Sequence, residues 1–135
     1  MAEKELAEKF IEALRNLEEN RDVEQIAAMF AENAEIHNVV TIENEHRLDA
    51  RAFWTNYRNS FGEVHSEFRN RIASEKSAAL EWQTSGTTND GHEFEYEGVS
   101  ILEFDGELIA RFFAYFNPAK LGHQMQETAA RTKEA

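Results

Sequence analysis

No cysteine occurs among the 135 residues, which excludes a disulfide framework, a thiolate metal site and a cysteine nucleophile and leaves the redox compartment unconstrained. Proline occurs once and glycine six times, and no internal repeat or low-complexity linker interrupts the chain. Basic residues are scarce: 14 Lys and Arg against 26 Asp and Glu give a formal charge of −12. Neutralising phosphates needs a concentrated basic face, so nucleic acid is excluded as a partner. Nowhere do eighteen apolar residues run together, and the opening Met-Ala-Glu-Lys-Glu-Leu is not a basic segment followed by an apolar stretch; the expectation is a cytoplasmic protein with no membrane partner. What the chain does have is 41% hydrophobic and 11% aromatic residues, with ten Phe and two Trp. That is too much apolar mass for a disordered acidic tail, and the length suits one domain with one core.

The common catalytic and cofactor motifs are also missing. No His-x-x-x-His or comparable spacing gathers metal ligands, so no metal is expected. No Gly-x-Gly-x-x-Gly or phosphate loop occurs, so no nucleotide cofactor is expected, and no serine sits in a nucleophile elbow. His46, His65, His92 and His123 form no convergent pattern.

Periodicity organises the chain. Leu6, Phe10, Leu14 and Leu17 recur at helical intervals on an otherwise charged segment, which predicts a first helix with one buried stripe and a solvated opposite face. Asp22 and Gln25 have the spacing of a reciprocal capping box, and Val23, Ile26, Ala27 and Phe30 make the stripe of a second helix. Ala34 to Val40 reads as one strand. Asp49 caps a third helix over Ala50 to Phe61, stapled by Leu48 against Phe53, with Phe53, Trp54, Tyr57 and Phe61 inward. After Gly62 the period becomes two, in four runs separated by turns at Ser74–Ser77, Asn89–Gly91 and Asp105–Gly106, which is an antiparallel meander. In the third run Phe94, Tyr96, Gly98, Ser100, Leu102 and Phe104 share the inward parity. Val99 and Ile101 interrupt the acidic outer parity, which suggests a cover, most simply a second copy of the chain. The last run, Leu108 to Phe116, is apolar on both parities, as a central strand would be, and Asn117-Pro118 ends it. Residues 126–135 are expected to fray.

The stretch Asp22-Val-Glu-Gln-Ile-Ala-Ala-Met-Phe-Ala-Glu-Asn-Ala-Glu-Ile-His resembles the second helix and first strand of SnoaL-like polyketide cyclases and ketosteroid isomerase-like proteins, in the superfamily named after nuclear transport factor two. Phe104-Asp-Gly-Glu-Leu-Ile-Ala-Arg-Phe-Phe-Ala-Tyr-Phe-Asn-Pro-Ala-Lys-Leu resembles their closing hairpin and last strand. The resemblance implies an α+β cone over residues 1–125: a strongly curved antiparallel sheet around a long helix, here expected to be the third, with a pocket between them and a homodimer through the sheet. It also implies where catalytic groups would lie. The isomerase base position falls on Asn38, its helical tyrosine on Leu14, its protonated aspartate on Ser100, and the cyclase base on Asn117. All four are uncharged, so a proton-transfer mechanism of those kinds lacks its carboxylates.

His37 is the remaining candidate base, since imidazole titrates near neutrality, although its parity opposes Ile36 and Asn38 and points it outward. The rings Trp54, Tyr57, Phe61, Phe68, Trp82, Phe94, Tyr96, Phe112 and Phe116 are first of all what a curled sheet needs for a core. They are accompanied on the inferred inner faces by Asn38, Ser66, Asn70, Thr84, Tyr96 and Ser100, and polar groups in a small core demand partners. The expected ligand is a small, mostly apolar molecule held by Asn38, Trp54, Tyr57, Trp82, Tyr96, Ser100, Phe112, Phe116 and Asn117. The other reading is an isomerase, cyclase, hydrolase or dehydratase with His37 as base.

Overall fold

The structure, a computed structural model, describes residues 2–39 and 49–119, the side chains of residues 2–4 excepted. Val40, His46, Leu48, His123, the domain boundary at 125 and the expected tail 126–135 lie outside the described residues. Three helices, α1 (Ala2–Asn20), α2 (Val23–Ala27) and α3 (Ala50–Asn59), accompany five strands, β1 (Phe30–Asn38), β2 (Val64–Ala73), β3 (Ser77–Thr87), β4 (Glu93–Asp105) and β5 (Leu108–Phe116). The strands form one curved open sheet in the order β1-β5-β4-β3-β2. Strands β2 to β5 are the expected antiparallel meander, and β1 joins it in parallel beside β5. Strand β5 is therefore central, as its two apolar parities require.

The local rules explain most boundaries. Asp22 and Asp49 each stand in extended backbone and accept from the amide three residues on, Gln25 and Ala52 respectively. Only half of the predicted capping box forms, because the Gln25 side chain accepts from Asn16 Nδ2 at 2.6 Å instead of reaching back. Helix α2 stops at Ala27, so Phe30 opens β1 rather than closing a helical stripe. The strand consequently begins four residues before Ala34 and ends at Asn38. Helix α3 ends at Asn59 instead of Phe61, with Ser60 as its C-cap. Gly91 and Gly106 hold the positive φ that their turns need, 87° and 63°.

The concave face carries the core. Phe10, Leu17, Ile26, Leu80, Leu102 and Ile109 are fully buried, each contributing about 1.5–3 kcal/mol of transfer free energy. The expected enclosure of the third helix alone needs correction. The 19-residue α1 packs on β2 and β3, and α3 packs on β1 and over β5 through Trp54 and Phe112. Both helices are needed because the sheet bends away from flatness. A bulge between Phe68 and Arg71 slips β2 by one residue relative to β3. The slip overturns the expected inward position of Asn70, whose Nδ2 donates to Glu81 Oε1 at 2.6 Å on exposed side chains. Arg71 takes the inward parity in its place and donates to Glu8 of α1 at 2.8 and 2.9 Å.

Gly98, in mid-β4, marks the closest packing against the sheet. A Cβ there would collide with the Tyr115 carbonyl oxygen and lie 2.7 and 2.9 Å from the Trp82 ring. Gly98→Ala is expected to lower the unfolding free energy by about 2 kcal/mol, read by urea denaturation, and to shift Trp emission because Trp82 must move. An unchanged midpoint would show that the backbone gives way without cost.

Candidate functional site

Helix α1 places one acid on its apolar stripe. Ala7, Ile11, Leu14 and Glu18 follow at intervals of four, three and four, and all are buried, Glu18 with 3% of its surface exposed. Its carboxylate is held from two other elements. Ser66 of β2 donates its backbone N–H to Oε1 at 2.9 Å and its hydroxyl to Oε2 at 2.7 Å. Tyr57 of α3 donates to Oε2 at 2.7 Å. Ser66 Oγ also lies 2.7 Å from Thr84 Oγ1 on β3. A hydroxyl has one proton, and that of Ser66 is used on Glu18, so Thr84 is the donor of this pair. Beneath the cluster the buried Arg58 donates from Nε to the Glu18 backbone carbonyl at 3.0 Å and from Nη1 to that of Phe61 at 3.1 Å. The guanidinium thus serves backbone oxygens instead of pairing with the carboxylate.

Two opposing effects set the titration of this group. Burial penalises the ionised form, and the three hydrogen bonds together with nearby His65 favour it; burial wins and the Glu18 pKa lies above its ordinary value of 4.5. Burial, with the neighbouring Glu18 charge second, likewise pushes the phenols of Tyr57 and Tyr96 upward, so both remain protonated donors. Tyr57 extends to a continuous row of rings. It meets Trp54 at 5.6 Å and Phe61 at 5.5 Å, Phe61 stacks on Phe94 at 4.9 Å, and Phe94 leads to Tyr96 at 5.9 Å. Tyr96 then contacts Trp82 at 5.2 Å and Phe116 at 5.3 Å. Trp54, 3% exposed, packs against Phe10, Phe30, Phe53 and Phe112. Its indole N–H is buried and has no hydrogen-bond partner among the described residues.

The expected site residues separate into groups. Trp54, Tyr57 and Phe112 come together at α3, and Trp82, Tyr96, Ser100 and Phe116 come together on β3, β4 and β5. Ser100 is already engaged, accepting from Trp82 Nε1 at 2.9 Å. Asn38, half-buried, stands opposite Ala114 where β1 ends. Asn117 is exposed after β5 and its Oδ1 accepts from the Ala119 amide at 3.0 Å. His37 pairs in register with Phe113 and lies 6.2 Å from its ring, on the outward parity of β1. The expected stripe of Leu6, Phe10, Leu14 and Leu17 does not include Glu18, which is buried; the 7-11-14-18 spacing carries that signal beside the larger apolar residues at 6, 10, 14 and 17. Among the described residues no group of three His, Asp or Glu could hold a metal ion, and no helix is long and apolar enough to cross a membrane.

Comparison with known proteins places this geometry. The SnoaL-like domain family model matches residues 7–112. Among solved structures, an LEH-like epoxide hydrolase from M. tuberculosis shares 16% identity over 97% of this chain and 98% of its own, with a TM-score of 0.68. An NTF2-like protein from Anabaena variabilis shares 15% over 86% and 90%, with a TM-score of 0.74. TerC, co-crystallised with polyporic acid, shares 13% over 90% and 98%, with a TM-score of 0.71. No curated protein matches the chain in sequence. At these identities the structural likeness is one of fold.

The Glu18 cluster makes a stability prediction with a definite sign. A carboxyl whose folded pKa is raised supports the fold fully below about 4.5 and loses that contribution as pH climbs through the raised value. Relative to Glu18→Gln, the unmodified chain should therefore weaken as pH rises from 4 towards neutrality in urea titrations, a parallel pH profile contradicting this. Glu18→Ala, which strands the Ser66 amide and two hydroxyls, should cost about 3 kcal/mol.

Proposed function

This chain belongs to the SnoaL-like domain family, and from that premise we propose that it binds a small, mostly apolar molecule bearing a hydrogen-bond acceptor inside the curved sheet. The observation that carries the reading is the buried Trp54 indole N–H. A donor withdrawn from water without a partner costs about 1–3 kcal/mol, and an incoming carbonyl or ether oxygen removes that cost. Rings on both sides, Tyr57 and Phe112 near Trp54 and Trp82, Tyr96 and Phe116 beyond, suit an apolar body. That TerC has been crystallised with polyporic acid is consistent with this use of the fold. Binding is favoured over turnover because Asn38 and Asn117, where the isomerase and cyclase bases respectively would stand, accept no proton at ordinary pH. No contact of His37 supports it as a base; its ring faces Phe113.

We also propose that a second copy covers the outer sheet face. Phe113 is buried there between Arg111, 5.5 Å from its centroid, and Tyr115, stacked at 4.3 Å. Tyr115 remains 46% exposed, and the half-buried Val99 and Ile101 lie beside this pair on β4. An apolar strip flanked by Glu97 and Glu103 has the composition of an interface core within a polar rim.

Two experiments test these readings. Acetylnaphthalene should quench Trp emission with a Kd about tenfold below that of ethylnaphthalene, which lacks the acceptor, and Trp54→Phe should erase the difference. Equal affinities would remove the role given to the indole. For the interface, Ile101→Glu should halve the mass seen by sedimentation, whereas a native chain that already sediments as a monomer would refute it.

A further inference from the structure

Of all the groups the fold buries, Glu18 is the one whose chemistry the binding reading leaves unused. Its Oε2 lies 2.7 Å from two hydroxyls, those of Tyr57 and Ser66, and the two arms are not equivalent. While Glu18 is ionised, Tyr57 must donate to it, so the phenol oxygen offers its surroundings lone pairs only. Once Glu18 takes a proton on Oε2, that O–H needs an acceptor. Passing it to Ser66 would reverse the Ser66–Thr84 pair and leave the Thr84 proton without an acceptor, in a residue only 2% exposed. Passing it to Tyr57 displaces the phenol proton, which then needs an acceptor of its own; Tyr57, unlike Thr84, adjoins the rings of Trp54 and Phe61, where the proposed ligand's oxygen can supply it.

We propose that Glu18 determines which ligand oxygen the interior accepts: as the acid it turns Tyr57 into a second donor beside Trp54, selecting carbonyl compounds, and as the carboxylate it makes Tyr57 an acceptor, admitting hydroxyl compounds. This rests on the binding reading above and adds a specificity-determining residue to it. The charged and titratable groups facing Glu18 are Tyr57 and Arg58 of α3, His65 of β2 and Tyr96 of β4. Arg58 serves backbone oxygens and both phenols stay protonated, which leaves His65 as the competing titrating group. His65 is exposed, 3.6 Å from Glu67 on its own strand, and contacts neither hydroxyl arm. The upward displacement of the Glu18 pKa by burial moves the switch from the acid range towards neutrality.

The test compares acetylnaphthalene with naphthylethanol by Trp quenching between about pH 5 and pH 8 on the full chain. The ketone-to-alcohol preference should rise about tenfold as pH falls, the order of one buried hydrogen bond. Glu18→Gln, whose NH2 in the place of Oε2 donates to Tyr57 and Ser66 alike at every pH, should hold the acid-side preference throughout. Tyr57→Phe should give a preference that does not vary with pH and serves as the check should the glutamine variant fold poorly. A preference independent of pH in the native chain overturns the inference while the binding reading stands. Persistence of the pH dependence in Glu18→Gln or Tyr57→Phe also overturns it, because the titrating group then lies elsewhere. If neither probe binds the native chain, both readings fall together.

Discussion

A carboxyl group taken out of water has to find hydrogen bonds or lose its charge, and the interior of this sheet is arranged around one that does some of each. Glu18 joins three elements far apart in sequence, α1 through its own backbone, β2 through Ser66 and α3 through Tyr57. Its main-chain carbonyl is tied to the same helix α3 by Arg58. Side-chain and backbone bonds from one residue therefore fix how α1 and α3 sit relative to each other on the concave face. A hydrophobic contact would allow sliding by a residue or a partial turn. Bonds of 2.7 Å to two hydroxyls and 2.9 Å to an amide do not, which is how a costly buried acid can specify an arrangement that apolar burial alone leaves loose.

Around that tie the rings supply the bulk of the transfer free energy, and their packing depends on backbone irregularities. Trp82 lies over Gly98 because no Cβ stands there, and this lets its indole N–H reach Ser100. The β2 bulge turns Arg71 towards Glu8 and Asn70 towards Glu81, so an edge strand that would otherwise present an unbroken alternation is bent onto α1. Curvature, helix docking and ring placement are thus one constraint: straightening β2 would take Ser66 away from Glu18 and Arg71 away from Glu8 together.

The sequence made the architecture legible where a single physical rule decided the outcome. Asp22 and Asp49 cap helices because a carboxylate before a helix accepts an orphan amide, and the meander follows from alternation punctuated by Gly91 and Gly106. The family match over residues 7–112 and the α+β sheet agree with the resemblance seen in the residues at the joints. Legibility failed where two rules competed. Phe30 fits a helical stripe and a strand equally well, and the parallel pairing with Ile109 that decided for the strand is a long-range contact. Asn70 has the inward parity until a bulge shifts it, and no residue type announces that bulge. The burial of Glu18 is not legible because charge on a helix is ordinarily solvated; only the positions of Ser66 and Tyr57, 48 and 39 residues away, make it tolerable.

The hydrogen-bond accounting of the interior constrains what can occupy it. Ser100 looked available in one dimension, yet the diagonal reach of Trp82 across β3 and β4 uses its oxygen. Thr84 and Ser66 spend their protons along the chain that ends on Glu18. What remains is one buried donor with no partner among the described residues, the Trp54 indole, beside a carboxyl already approached by three bonds from Tyr57 and Ser66. On the proposed binding reading an unpaired N–H suits an oxygen lone pair first, and a ligand hydroxyl is suited only while Glu18 bears its charge. The buried acid stands on α1, enclosed by Ser66 and Tyr57, and not at Asn38, Ser100 or Asn117, where the resemblance points; on the proposed reading it acts through the Tyr57 phenol.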